Sequence, residues 1–75
     1  MRQAKRQTVV VLDQMSENVW ITRFNQGMNC YQIHEKDGQF VIFKDNVFYG
    51  RSRIAAGLPT LEAAIRYLET KEYSE

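Results

Sequence analysis

The chain is poor in the residues that most protein chemistry needs. It has one cysteine, one histidine and one proline among 75 residues. Cys30 alone excludes an internal disulfide, and Cys30 with His34 falls short of the three or four protein ligands of a zinc site. The two lie four residues apart on one strand-like segment, about 13 Å along the backbone, too far for a Cys-His nucleophile pair. The four glycines, Gly27, Gly38, Gly50 and Gly57, stand apart, so there is no glycine-rich loop to cradle a phosphate. Asp13, Asp37 and Asp45 sit where turns are expected and form no general-acid pair. The expectation is a protein that is not an enzyme, with no catalytic residues, cofactor, metal or small-molecule substrate.

Long apolar runs and a charge excess are missing too. No stretch approaches the roughly 18 residues of a membrane span. Arg2, Lys5 and Arg6 precede an apolar stretch only from Val9 to Leu12, too short for a secretory leader. These features point to a cytoplasmic protein without a membrane partner. The net charge is +1, which removes the bulk attraction that marks many nucleic-acid binders. Charge is nevertheless uneven: residues 1–12 carry cations and no acid, whereas Glu62, Glu69, Glu72 and Glu75 outnumber Arg66 and Lys71 in residues 61–75.

What the chain does have is the composition of a small folded domain, with 44% apolar and 25% charged residues. A domain of this size buries only about 60% of the surface its unfolded chain exposes, so an interface would add useful burial. Residues 1–75 are read as one domain, with 1–6 and 71–75 as flexible tails.

Strand-length apolar segments are separated by turn chemistry. Thr8–Leu12 is β-branched and reads as a first strand, with Asp13, Ser16 and Asn18 turning the chain. In Val19–Phe24, alternation puts Val19, Ile21 and Arg23 on one face and Trp20, Thr22 and Phe24 on the other. After a loop over residues 25–29, Tyr31, Ile33 and Glu35 alternate with Cys30, Gln32 and His34. Asp37-Gly38 predicts a type I′ hairpin leading into Phe40–Phe43, and Asp45-Asn46 predicts a second reversal leading into Val47–Arg51. Residues 50–58 read as the passage to a helix. Thr60 is a suitable N-cap, and Leu61, Ala64, Ile65 and Leu68 follow helical spacing, with the helix fraying beyond Thr70. Short connections force antiparallel pairing. The predicted fold is α+β: an antiparallel meander of four to five strands with one C-terminal helix packed on one face.

Two partial resemblances concern nucleic acids. Lys36–Phe43 echoes the end of the RNP1 pattern through Phe40, Val41 and Phe43, but no helix precedes these strands and Asp37 stands where that pattern has glycine. Gly57–Leu68 is similar to the sheet-to-helix passage of AP2-type and integrase arm-binding domains. Leu58-Pro59 and the early Glu62 depart from that pattern. That resemblance implies Lys44, Arg51 and Arg53 as phosphate contacts, and Tyr49 joins them as a ring on which a base would stack.

The leading functional expectation is a protein-binding or regulatory module acting through an aromatic sheet face and through self-association as a homodimer. Trp20, Phe24, Phe48 and Tyr49 are its anchors, because aromatic residues are the commonest anchors at interfaces. The alternative is nucleic-acid binding by Lys44, Tyr49, Arg51 and Arg53, helped by Arg2, Lys5 and Arg6.

Overall fold

A computed structural model describes residues 10–73. Five strands follow one another: β1 (Leu12–Ser16), β2 (Val19–Thr22), β3 (Asn29–Lys36), β4 (Gln39–Asn46) and β5 (Gly50–Leu58). Helix α1 (Leu61–Tyr67) then opens into a wider π-helical turn over Leu68–Glu72. The strands pair with their sequence neighbours in the order β1-β2-β3-β4-β5, all antiparallel. This is the α+β meander with a single C-terminal helical segment that the turn spacing predicts.

The central hairpin forms for the local reason expected of it. Asp37 and Gly38 take φ of 55° and 79°, the paired positive values that a type I′ turn demands and that β-branched residues resist. The helix starts as predicted, with the Thr60 hydroxyl accepting the Ala63 N–H at 3.0 Å. On its inner stripe Ala64 and Leu68 are fully buried, while Leu61 and Ile65 pack beside them.

Register sorts the sheet into two faces. Trp20 lies opposite Ile33, Ile33 opposite Ile42, and Ile42 opposite Ala55. This apolar row runs across four strands beneath the helix. Tyr31, Ile33 and Ile42 complete the core with Val10, Ala64, Leu68 and Tyr73. Val19, Ile21, Gln32, His34, Val41 and Phe43 face the other way, where no helix of the described residues covers them.

Three boundaries differ from expectation. Thr8 and Val9 lie outside the described residues. β1 starts at Leu12 and takes in Asp13 and Ser16, leaving Glu17 and Asn18 as the turn. Cross-strand pairing overrides turn preference here, since Asp13 meets Arg23 of the returning chain at 2.6 Å. The second reversal also shifts. Asp45 and Asn46 finish β4, Val47–Tyr49 form the turn, and residues 50–58 are a fifth strand rather than a passage. Gly50, at φ 83°, supplies the positive angle that lets the chain re-enter the sheet.

The third difference lies at the C-terminal end. Residues 71–73 are no flexible tail, because Tyr73 is only 4% exposed and its ring lies 5.4 Å from that of Tyr31. In an α-helix a residue five places on lies roughly 140° round the axis, away from the stripe. Here the Tyr73 N–H reaches the Leu68 carbonyl at 2.8 Å, and this wider turn swings the ring back toward the core. Residues 1–6, 74 and 75 lie outside the described residues.

Two substitutions test this architecture. Leu68→Ala should cost about 2–5 kcal/mol of unfolding free energy, as for other buried leucines. Gly38→Val should cost about 1–2 kcal/mol by forcing a β-branched residue to positive φ. Urea unfolding measures both, and a wild-type midpoint for Gly38→Val would show that the turn does not use the geometry described.

Candidate functional site

One end of the sheet is formed by the β2–β3 loop, residues 23–28, and the β4–β5 turn, residues 47–49. Among the described residues, five of the six exposed large apolar side chains gather there: Phe24 (64% exposed), Met28 (57%), Val47 (69%), Phe48 (74%) and Tyr49 (90%). Only Met15 lies at the opposite end. Scattered exposed apolar residues are ordinary, whereas a cluster at one end of a small domain is not.

The backbone beneath these side chains is tied down. The Val47 N–H donates to the Met28 carbonyl at 3.2 Å, joining the two loops. The Asn46 side-chain oxygen accepts the Phe48 N–H at 2.8 Å and the Tyr49 N–H at 3.0 Å, an Asx turn built from the end of β4. Its amide nitrogen donates to the Asn29 Oδ1 at 2.8 Å. Further round, the Tyr73 hydroxyl donates to the Phe24 carbonyl at 2.7 Å. Between Val10, Thr22, Phe24 and Tyr73 lies a small apolar cleft of about 100 Å³.

On the helix side of the same end, a polar recess of about 380 Å³ is lined by Asn29, Lys44, Asn46, Tyr49, Gly50 and Ser52. It follows from register, since Asn29, Asn46 and Gly50 form one row and Tyr31, Lys44 and Ser52 the next. The Lys44 ammonium stands 3.6 Å from Glu72 Oε1, which also accepts the Tyr31 hydroxyl at 2.8 Å. Burial first, and then the Glu72 carboxylate, push the Tyr31 pKa well above its ordinary value, so the phenol keeps its proton. Burial also raises the pKa of Tyr73.

The uncovered sheet face carries a different set. The Arg51 guanidinium lies 5.4 Å from the centre of the Phe43 ring and donates to Asp45 Oδ1 at 2.7 Å. The His34 ring meets Phe43 edge-on at 4.9 Å, and its Nε2 lies 2.9 Å from Gln32 Oε1. Burial, and then the Arg51 charge, lower the His34 pKa below its ordinary value. The Cys30 sulfur lies 4.0 Å from the Thr22 hydroxyl, and no group of three metal-ligating side chains occurs among the described residues.

The sequence-predicted anchors are thereby separated. Phe24, Phe48 and Tyr49 do share the exposed end. Trp20 does not: it is half-buried on the helix side, packed on Phe40 with ring centres 5.9 Å apart, as a wall of the core. The predicted phosphate contacts are divided between faces, because Lys44 lies on the helix side whereas Arg51 and Arg53 lie on the open side. Lys44 and Arg51 each face a carboxylate. Met28, Val47, Asn29 and Asn46 were not singled out from sequence as site residues. The Asn46…Gly50 spacing was the available signal, since the two residues bracket a three-residue turn. Comparison with protein-family models, with curated proteins and with solved structures finds no match.

Asn46→Ala removes the acceptor shared by two turn amides and should cost about 1 kcal/mol. Amide hydrogen exchange should accelerate most at Phe48 and Tyr49. Unchanged exchange there would show that Asn46 does not hold the turn.

Proposed function

We propose that this chain is a small non-enzymatic protein-binding module whose contact surface is the apolar end made by Phe24, Met28, Val47, Phe48 and Tyr49. The observation that carries the reading is an ordered turn presenting two aromatic rings to solvent, with exposures of 74% and 90%. Backbone hydrogen bonds to Asn46 and Met28 fix the turn before any partner arrives, so little entropy is lost in ordering it on contact. The partner is an apolar segment of another protein, and self-association through this end is the homodimeric form of the same reading.

The arrangement of cations supports this reading over phosphate binding. Arg51 and Lys44 are already placed against Asp45 and Glu72, and the predicted contacts occupy opposite faces. His34 hydrogen-bonds Gln32 rather than a carboxylate, which favours binding over acid-base chemistry.

The test is to pan a displayed random-peptide library against the folded chain. Recovered peptides should lose at least about tenfold in affinity when Phe48 and Tyr49 are both replaced by Ser. That double variant should unfold within about 0.5 kcal/mol of wild type, because both side chains are exposed. Binding should change little with salt. Oligonucleotide binding that falls steeply between low and physiological salt, with peptides insensitive to Phe48 and Tyr49, would overturn the reading in favour of nucleic acid. Sedimentation at two concentrations identifies a second copy as the occupant.

A further inference from the structure

We infer that the polar recess beside the apolar turn binds a carboxylate, and that the partner is a peptide segment carrying Asp or Glu next to its apolar residues. This deepens the protein-binding reading and rests on it for the source of the carboxylate.

The argument starts from the orientation of two amides. Asn46 accepts two backbone N–H groups through one side-chain atom, and only the carbonyl oxygen of an amide can do so. The other atom is therefore the NH₂ group, and its 2.8 Å contact with Asn29 must end on the Asn29 oxygen. The Asn46 oxygen is fully used, and the Asn29 oxygen keeps a single lone pair. What the lining still offers is the second N–H of Asn46, the NH₂ group of Asn29, the Lys44 ammonium and the hydroxyls of Ser52 and Tyr49. A recess dominated by donors selects an acceptor, and a carboxylate brings two oxygens in one plane.

Charge decides between oxyanions. Among the described residues Lys44 is the only charged side chain lining the recess, and it stands 3.6 Å from the Glu72 carboxylate. Near-neutral surroundings suit a singly charged carboxylate and oppose a phosphate dianion. Tyr49 decides the source. It lines the recess and is also the most exposed aromatic residue of the apolar turn, so an acid seated beside Lys44 is bound next to Phe48 and Tyr49. A peptide satisfies both features at once.

The test follows the Asn29 and Asn46 side-chain NH₂ signals in ¹⁵N NMR spectra of the full chain. Sodium acetate is titrated against sodium chloride at matched ionic strength, with inorganic phosphate as a third arm. Acetate should move these signals to saturation and chloride should not. Lys44→Gln should raise the half-saturation concentration at least about fivefold, whereas Lys36→Gln, at the far end of β3, should leave it unchanged. A linear response, a response equal to that of chloride, or indifference to Lys44→Gln overturns the proposal. Phosphate saturating below acetate replaces the carboxylate by a phosphate and overturns it as well.

The peptide acetyl-Phe-Glu-Leu-amide should bind more tightly than acetate and than its Gln counterpart, with the difference lost in Lys44→Gln. If acetate fails while panned peptides still require Phe48 and Tyr49, the recess inference falls and the protein-binding reading stands. If acetate saturates but the Glu peptide gains nothing over it, the peptide assignment falls.

Discussion

The register of the β3–β4 hairpin decides which side chains lie beneath the helix, and everything else in the molecule is arranged around that decision. With Asp37 and Gly38 in the turn, Ile33 falls opposite Ile42 and both are fully buried. A slip of one residue on β3 would send Gln32 and His34 into the core and Ile33 out of it. Burying those polar groups without partners costs several kcal/mol, a large share of the stability of a domain this small. The turn chemistry and the apolar row thus specify the same pairing, and agreement between a local and a non-local preference selects a single register.

That register also explains why a recess exists at all. A helix is only about 10 Å across, whereas an eight-residue strand runs roughly 26 Å. One helical segment therefore covers a band of the sheet and leaves its end open. Side chains on the helix side but beyond that band are Asn29, Lys44, Asn46 and Ser52, and all are polar. The alternation that makes Ile33 and Ile42 core residues makes these the floor of a solvent-facing hollow. The apolar turn beside it has a separate cause, since Val47, Phe48 and Tyr49 lie past the last rung of the ladder, where no neighbouring strand can cover them.

Legibility in the sequence follows the range of the interactions concerned. Asp37-Gly38, the Thr60 cap and the stripe Leu61, Ala64, Ile65 and Leu68 depend on neighbours within four residues, and the structure contains them as read. Val47–Tyr49 have the composition of a strand, so sequence pattern puts the second reversal two residues too early. Asn46 pairs with Asn29 and Gly50 at the end of β4, and its side chain reaches forward to two turn amides. The core position of Tyr73 depends on a π-helical turn that periodicity counting does not foresee. Phe24, Phe48 and Tyr49 were legible as candidates because large aromatic residues near turns are conspicuous. The faces of Arg51 and Arg53 depend on the register set by the Val47–Tyr49 turn, which pairs Asp45 with Arg51 and Phe43 with Arg53, and a reversal at Asp45-Asn46 hides that pairing. Trp20 was legible as a residue needing cover, but not that Phe40 and the core provide it.

Core and recess meet at one carboxylate. Glu72 accepts the Tyr31 hydroxyl from inside the fold and faces the Lys44 ammonium from the recess side. A partly buried carboxylate needs such partners, since unpaired it would bear its full desolvation cost. Tyr31 keeps its proton and donates steadily, so Glu72 remains partnered even when Lys44 turns toward another acceptor. Lys44 has three N–H donors and spends one direction on Glu72, leaving the others for the hollow. A second carboxylate beside Lys44 then shares the cation rather than displacing Glu72, at the cost of like-charge repulsion that grows with the charge of the incoming group. The arrangement favours a single negative charge held by several neutral donors, while the Tyr31–Glu72 contact keeps the C-terminal turn packed on the sheet.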